Sequence, residues 1–325
     1  MRSESRRSII PIPALLALCL PLLSCASGGL PAGSSPLALR LEPFFHRPGV
    51  TIAVAYCNLG NGATYFHNED ASFHAASTMK LPVMMALFQA IDGGELRLDT
   101  PIPVRNRFQS YADASPFTLD PKDDGDPDLY GAVGSTRPLE ELIRRMIVRS
   151  SNLATNLLIE KIGASRATDL MRGLGAYRIQ VLRGVEDEKA YEAHLNNTTT
   201  AEDLAIALTA IVQGTTFSPA SSAKMIEILK AQEFNEKIPA YLPKDVAVAH
   251  KTGDITGVHH DAAIVYPPGE KPYVLVVLTS GYLDEKQANQ AIAEISREVW
   301  ERRSLAGPAA APREKNPERG REGGE

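Results

Sequence analysis

The hydrophobic pattern changes type twice along the chain. Short apolar runs bounded by turn residues, which are typical of strands, occupy residues 50–57 and 63–66. From Thr78 to about Gln213, apolar residues recur mostly at helical spacing, as in "TMKLPVMMALFQAIDGGEL" and "RPLEELIRRMIV". After one more helical segment, strand-like runs return at 246–252, in "DAAIVYPP" and in "YVLVVLTSG", and a last helix follows. The pattern therefore predicts strands near both chain ends with helices between them.

This order of elements predicts an α/β fold of the α+β sandwich kind, in which one sheet is built from both chain ends. The helices in the middle of the chain would form a second lobe inserted into the first. We expect the domain to span residues 41–306, with the α/β lobe at 41–80 and 215–306 and the helical lobe at 81–214. A cleft between two such lobes is a usual place for an active site.

The N-terminal segment indicates export. Arg2, Arg6 and Arg7 precede a proline-broken apolar run that is too short to span a membrane. The run ends at "LLSC", which resembles the lipobox of bacterial lipoproteins. We expect removal of residues 1–24 and lipidation of Cys25, which would attach the protein to a membrane in the periplasm or at the cell surface. Ordinary secretion with cleavage nearby is the alternative.

The charge and the cysteine content bear on possible partners and disulfide bonds. The 325 residues carry a formal net charge of -5, which gives no electrostatic reason to expect nucleic acid as a partner. With Cys19 in the signal and Cys25 lipidated, Cys57 has no disulfide partner and is most simply a small buried residue. A Gly/Ser/Pro-rich linker is expected at 25–40, and a disordered tail, poor in apolar residues, at 307–325.

The first candidate for chemistry is "SFHAASTMKLP", in which Ser77 and Lys80 lie three residues apart at the start of a predicted helix. Positions i and i+3 share one helix face, so the lysine nitrogen can reach the hydroxyl. A serine hydroxyl needs a base to become a good nucleophile, and a lysine can serve if burial and positive charge lower its pKa. Alone, this spacing is common, and a capping serine beside a surface lysine is the simpler interpretation.

Two later segments make a catalytic interpretation stronger. "VRSSNLATN" places Ser150, Ser151 and Asn152 in a turn between two helices, where polar groups can point into a cleft. "VAHKTGDITG" places Lys251 and its neighbours Thr252 and Gly253 at the end of a strand, and the small glycine would let a substrate backbone approach closely.

In this order and spacing, S-x-x-K, S-x-N and K-T-G resemble the motif set of class A serine β-lactamases and penicillin-binding proteins. The resemblance extends from about residue 45 to residue 300 and includes "TNLLI", "TTTAEDLA" and "DAAIVYPPGEKPYVLVVLTSG". It implies an antiparallel sheet with helices on both faces and an all-helical lobe. It also implies hydrolysis of β-lactam rings by a monomeric enzyme that needs neither cofactor nor metal.

The resemblance also implies roles for individual residues. Ser77 would attack the lactam carbonyl to form an acyl-enzyme, and Lys80 would be the candidate base. Ser150 would pass a proton to the leaving nitrogen. Asn152 would position the substrate amide, and Lys251, Thr252 and Gly253 would form the subsite for its carboxylate.

An oxyanion hole would consist of the backbone N–H of Ser77 and one from the strand after Gly253, that of Asp254 or Ile255. The chain departs from the family pattern at Ser151, which replaces the usual aspartate that braces the turn. We expect this change to affect the rigidity of the turn more than the chemistry.

The second departure lies in "RGVEDEKAYEAHLNNTTT", where the family has Arg-x-Glu-x-x-Leu-Asn and uses the glutamate for deacylation. Glu186 follows Arg183 one residue later than that pattern expects, and Leu and Asn do not follow it. The spacing E-x-x-L-N occurs instead at Glu192, close to the threonines. Glu186 is the favoured base because one inserted residue could restore its place. Glu192 is the second candidate, and the third possibility is that neither acts.

Two weaker signals have simpler interpretations. The acidic segment "LDPKDDGDPDLYG" matches a calcium loop poorly and is expected to be solvated. His250 would point away from Lys251 on a strand and is expected to be structural.

The leading hypothesis is thus a lipid-anchored β-lactamase, and the alternatives are a penicillin-binding hydrolase acting on peptidoglycan-like peptides or esters and a sensor that is acylated without turnover.

Overall fold

A central five-stranded sheet with helices on both faces organises the chain, and the computed structural model describes residues 36–303. The α-helices of this part of the chain are α1 Pro36–Leu41, α2 Lys80–Asp92, α3 Leu139–Val148, α4 Asn152–Ile162, α5 Ala164–Gly173, α6 Glu188–Glu192, α7 Ala201–Gln213, α8 Pro219–Lys230 and α9 Glu285–Arg302. Its strands are β1 Thr51–Asn58, β2 Thr64–His67, β3 Phe73–His74, β4 Pro101–Pro103, β5 Phe108–Gln109, β6 Pro116–Phe117, β7 Thr136–Pro138, β8 Thr198–Thr199, β9 Ala247–Ile255, β10 Val258–Tyr266 and β11 Tyr273–Ser280.

The main sheet has the strand order β2-β1-β11-β10-β9, and every neighbouring pair is antiparallel. β11 lies at the centre of the sheet, where Val277 pairs with Val54 of β1 on one side and with Asp261 of β10 on the other. All five of its strands come from the regions near the two chain ends, at the positions that the hydrophobic pattern indicates. The predicted fold class, an antiparallel sheet assembled from both ends of the chain, is confirmed.

The two faces of the sheet form two hydrophobic cores. Because successive strand residues point to opposite faces, alternate positions of β1 and β11 enter different cores. Ala53, Ala55 and Val276 pack with helices α2, α4 and α7 on one face. Val54 and Val277 pack with α1 and α9 on the other. β11 is buried on both faces, and its sequence is correspondingly a continuous apolar run rather than an alternating one.

Helix α2 passes through the middle of the helical region and is buried on all sides. Its residues 81–88 are all buried, and it packs against α3, α4, α5 and α8. A helix that is apolar all round is typical of such a central position. It ends at Asp92, directly before the glycine pair Gly93 and Gly94. The residues 81–214 also contain the short strand pairs β4–β7 and β5–β6 beside their helices.

The acidic segment at 120–132 is mostly exposed, as its composition predicts, but two of its aspartates are not solvated. It forms two 3-10 turns, and Asp124 and Asp126 within it are buried. The buried Asp126 accepts charge-assisted hydrogen bonds from Arg145 and Arg149, which offset the cost of burying its charge.

Several predictions concern residues outside this structure. The signal at 1–24, the lipidation site Cys25 and the tail at 307–325 lie outside the described residues. Among residues 36–303, no helix is both long enough and apolar enough to cross a bilayer.

Candidate active site

Ser77 lies in a 3-10 turn, Ala76–Met79, that runs directly into α2 at Lys80. Ala76 adopts φ +44°, a left-handed conformation that residues with a Cβ rarely take and that often occurs where function requires strain. The half-buried Ser77 is therefore presented on a sharply turned backbone, and the fully buried Lys80 follows three residues later.

Strand β9 passes immediately beside this turn, and Gly253 makes the approach feasible. A Cβ at position 253 would lie 3.1 Å from the backbone nitrogens of both Ser77 and Thr78. That separation is tighter than ordinary van der Waals contact, so a larger residue would push the strand away from the turn. The sequence predicted a close approach of a substrate backbone at this glycine, but the backbone that approaches it here is the turn that carries Ser77.

The Lys80 ammonium donates three hydrogen bonds, all of them to Ser150 and Asn152 at the start of α4. Nζ donates to the backbone oxygen of Ser150 at 2.7 Å, to Ser150 Oγ at 3.1 Å and to Asn152 Oδ1 at 2.8 Å. Within residues 36–303, no hydrogen bond joins Lys80 to the Ser77 hydroxyl. Burial lowers the pKa of Lys80 to about 7, against the opposing effect of the nearby Asp124 and Glu186 carboxylates.

Lys251 also donates a hydrogen bond to the Ser150 hydroxyl. Its Nζ donates to Ser150 Oγ at 3.1 Å and to the backbone oxygen of Thr252 at 2.9 Å. Burial and then the charge of Lys80 lower the pKa of Lys251 well below its ordinary value. Because Ser150 Oγ accepts from two lysines, both of its lone pairs are occupied and its own proton is free to be donated toward the cleft.

The turn that carries Ser150 is braced by a residue that sequence reasoning missed. Asp124 Oδ1 accepts the backbone N–H of Asn152 at 3.0 Å, and Oδ2 accepts that of Leu153 at 2.8 Å. Ser151, which replaces the family's aspartate, is fully buried and caps α4 through the N–H of Ala154 at 3.3 Å. The carboxylate at this helix N-terminus thus comes from the acidic segment, not from the turn itself.

Glu186 enters the site through Asn152. Asn152 Nδ2 donates to Glu186 Oε1 at 3.0 Å, while Asn152 Oδ1 accepts from Lys80. The amide therefore joins the candidate deacylation base to the candidate acylation base. Although Glu186 is exposed, partial loss of water around its carboxylate raises its pKa. Lys80 opposes this rise, and the carboxylates of Asp123 and Asp124 add to it.

Side chains from elsewhere in the chain hold the backbone on both sides of Glu186. Asn156 of α4 donates to the oxygen of Val185 at 3.0 Å and accepts its N–H at 2.7 Å. Asp187 accepts from Ser110 Oγ at 2.8 Å and from the N–H of Tyr111 at 2.7 Å. Sequence reasoning identified none of these contacts, because each partner lies tens of residues away.

The ends of this acidic loop are closed by Arg183 and Asn197. Arg183 Nε donates to the oxygen of Leu195 at 2.7 Å, and Asn197 Oδ1 accepts the N–H of Leu182 at 2.8 Å. The second candidate, Glu192, lies exposed at the end of the short helix α6. Of the two carboxylates, Glu186 is the one that the structure brings to Asn152 and Lys80.

The histidines near the third motif have structural partners. His250 is buried and pairs with Asp261 at 3.0 Å, on the sheet face opposite to the Lys251 side chain. His260 Nε2 lies 2.9 Å from the backbone oxygen of His74, and burial lowers the pKa of His260 to about 4. His259 and His260 are neighbours on β10, so their side chains point to opposite faces of the sheet.

Comparison with known proteins agrees with this arrangement. The family described as "Beta-lactamase enzyme family" matches residues 37–302. The carbapenem-hydrolyzing β-lactamase KPC of Klebsiella oxytoca is 29% identical over 290 residues, covering 86% of this chain and 94% of that protein. The crystal structure of a β-lactamase from Sphaerobacter thermophilus has a TM-score of 0.70 at 28% identity, covering 84% of this chain and 98% of that one.

A solved structure titled PBP-A is similar to the same degree, with a TM-score of 0.71 at 28% identity over 82% of this chain and 95% of that one. The family match spans nearly all of the described residues and contains all three motifs of the site. The chain belongs to the β-lactamase enzyme family.

Proposed function

We propose that this protein hydrolyses β-lactam rings through an acyl-enzyme on Ser77. The observation that carries the proposal is the pair of buried lysines, Lys80 and Lys251, that both donate to Ser150 Oγ beside the nucleophile turn. This arrangement contains a nucleophile, a base with a lowered pKa and a hydroxyl that can protonate a leaving group, which are the parts that acyl transfer requires.

In the acylation step, Ser77 Oγ attacks the lactam carbonyl carbon and its proton passes to the neutral amine of Lys80. A pKa of about 7 leaves roughly half of the Lys80 side chains neutral at neutral pH. The C–N bond then breaks, and the nitrogen takes the Ser150 proton, which a lysine ammonium replaces. Backbone N–H groups of Ser77 and of β9 after Gly253 would stabilise the oxyanion.

In the deacylation step, Glu186 would take a proton from a water molecule that attacks the ester carbonyl, and Ser77 would leave with its proton restored. The raised pKa of Glu186 makes it a stronger base than an ordinary glutamate while it is ionised. Its hydrogen bond to Asn152 supports this role, since the same amide also accepts from Lys80 and so keeps the Glu186 carboxylate near that lysine.

A penicillin-binding hydrolase or sensor is the second candidate. Two observations favour it: the residues after Glu186 depart from the Leu-Asn pattern, and the PBP-A structure is as similar as the β-lactamase structure. A protein of this kind would be acylated at Ser77 and would release the product slowly. Its substrates would be peptidoglycan-like peptides or esters.

One time course separates these functions. The protein is mixed with a chromogenic cephalosporin, and ring opening is followed together with the mass of the chain. Steady turnover with little acyl-enzyme supports the β-lactamase. A stoichiometric burst followed by slow or absent turnover supports the penicillin-binding hydrolase or the sensor. Absence of both ring opening and a mass adduct contradicts acylation at Ser77.

The location of the protein is a separate proposal. The lipobox-like "LLSC" supports attachment to a membrane by a lipid on Cys25, in the periplasm or at the cell surface. Cys25→Ser should then release the protein from membrane fractions. Equal partitioning of variant and parent would contradict lipidation.

A further inference from the structure

His74 lies three residues before Ser77, at the end of the short strand β3. Its ring nitrogen Nδ1 accepts the backbone N–H of Ala76 at 3.0 Å. Ala76 is the first residue of the 3-10 turn that carries Ser77, and the first N–H groups of a helical turn have no acceptor within it. The side chain of His74 therefore supplies the acceptor that the start of this turn lacks.

The contact with Ala76 defines the state of the His74 ring. Because a backbone N–H only donates, Nδ1 must carry a lone pair, and the proton of the neutral ring is on Nε2. Burial and then the charge of Arg183 lower the pKa of His74, against a side-chain hydrogen bond with Asn196 that raises it. The ring is therefore neutral at neutral pH, and this is the state that can accept the N–H.

The backbone of Ala76 is the strained point of the turn. Its φ of +44° is costly for a residue with a Cβ, so the surrounding contacts must hold it in place. His74 Nδ1 binds the N–H of this same residue. A change in the dihedral angles of Ala76 would reorient Ser77, which follows it directly. Both the Ser77 hydroxyl and the N–H that the proposed oxyanion hole uses would then move.

His74 is itself held by the main sheet and by the chain after the acidic loop. Strand β3 pairs with β8, which places His74 opposite Thr198. The backbone oxygen of His74 accepts a hydrogen bond from Nε2 of the buried His260 at 2.9 Å. His260 Nδ1 accepts the N–H of Thr279 at 3.2 Å, which leaves the ring proton on Nε2. The acceptor for Ala76 is thus attached to a backbone that the central sheet fixes.

We propose that His74 is a positioning residue for Ser77: its Nδ1 holds the left-handed turn at Ala76 and so keeps the Ser77 hydroxyl oriented for attack on the substrate. This inference rests on the proposed function, because it concerns the acylation step. His74 touches no reacting atom in this role and acts through the backbone of Ala76. The role requires a hydrogen-bond acceptor at the place of Nδ1 and does not require an imidazole ring.

The test separates the acceptor from the ring. Asparagine and leucine both branch at Cγ, and the Oδ1 of asparagine takes the place of histidine Nδ1, from which it can accept the N–H two residues further on. His74→Asn therefore keeps the acceptor, whereas His74→Leu removes it at nearly the same shape. The measured quantity is the rate constant for acylation of Ser77 at saturating penicillin, followed by mass spectrometry in a single turnover.

His74→Leu should lower this rate constant about ten-fold, the effect expected of a backbone donor left without an acceptor. The turn would then spend most of its time in conformations that misplace the Ser77 hydroxyl. His74→Asn should stay within about three-fold of the parent, because its side chain restores the acceptor.

Two further variants examine the ring. His74→Phe keeps a ring beside Tyr191, whose centroid lies 6.2 Å from that of His74, but has no acceptor, and it should lose acylation as His74→Leu does. Tyr191→Leu removes the same ring contact from the acidic loop and should leave the acylation rate constant within about two-fold of the parent. Thermal transitions show whether each variant folds, and His74→Phe takes the place of His74→Leu in the comparison if the latter does not.

Equal rate constants for His74→Asn and His74→Leu would overturn the inference, because loss of the ring would then explain both. A His74→Phe rate constant within about two-fold of the parent would also overturn it, as would an equally large loss in Tyr191→Leu. In each of these cases the parent is still acylated, so the proposed function stands. If penicillin does not acylate the parent, the proposed function itself fails, and the inference fails with it.

Discussion

The nucleophile centre and the acidic loop meet at Asn152 but are built in different ways. The proposed nucleophile centre (Ser77, Lys80, Ser150 and Lys251) lies on a 3-10 turn that leads into α2, on the turn before α4 and on the edge strand β9, and both of its lysines are fully buried. The acidic loop, residues 183–197, contains little regular structure and presents Glu186 at the exposed mouth of the cleft.

The stabilising contacts differ accordingly. Backbone ladders and core packing fix the nucleophile centre, because β9 is hydrogen-bonded along its whole length to β10. The acidic loop depends on single side chains, such as Asn156 on one side of Glu186 and Asp187 on the other. Acylation should therefore be robust to distant changes, whereas deacylation should be sensitive to them.

Ser77→Ala should abolish acylation completely, because the change removes the attacking oxygen. Labelled penicillin and mass spectrometry measure the adduct. The thermal transition should stay close to that of the parent, since the half-buried Ser77 hydroxyl makes no side-chain hydrogen bond among the described residues. A covalent adduct on the variant would show that another residue is the nucleophile.

Glu186→Gln should slow deacylation by about 10²–10⁴-fold, the usual contribution of a general base, while acylation of Ser77 continues. The chain should then accumulate with the added mass of the drug. Glu192→Gln is the matched control in the same loop and should turn over normally. The reverse result would make Glu192 the base, and accumulation in the parent would mean that neither carboxylate acts.

The acylation rate should fall about ten-fold for each pH unit below the Lys80 pKa of about 7, because only the neutral amine can accept a proton. Single-turnover acylation measured between pH 5 and pH 9 gives this profile. Asp124→Asn should shift the profile to lower pH, since the Asp124 carboxylate raises the Lys80 pKa. An unchanged profile in that variant would contradict electrostatic contact between the two groups.

Asp187→Asn should slow deacylation by about five- to ten-fold, corresponding to roughly 1 kcal/mol for one weakened hydrogen bond beside Glu186. Acylation should change by less than two-fold, which distinguishes a positioning effect from general destabilisation. Both rates come from the same pre-steady-state experiment. Equal losses in the two steps would mean that the loop and the nucleophile centre are not independent.

The sequence determined the parts of this protein that depend on local spacing. Hydrophobic periodicity placed the five strands of the sheet and the central helix. The interval from Ser77 to Lys80 set them on one helical turn, since neighbours along a helix follow from its geometry alone. The family resemblance, which rests on three short motifs, is confirmed by the match to residues 37–302.

The contacts between distant segments follow only from the tertiary structure. Asp124 binds Asn152, which lies 28 residues further along the chain, and so stabilises the turn that carries Ser150. In the same way Asn156 binds Val185, and Lys237 binds Asp254. A polar residue in a loop gives no local sign of its partner, because the pairing depends on how the lobes pack. For the same reason the composition of the acidic segment, most of which is exposed, did not reveal that Asp124 and Asp126 are buried.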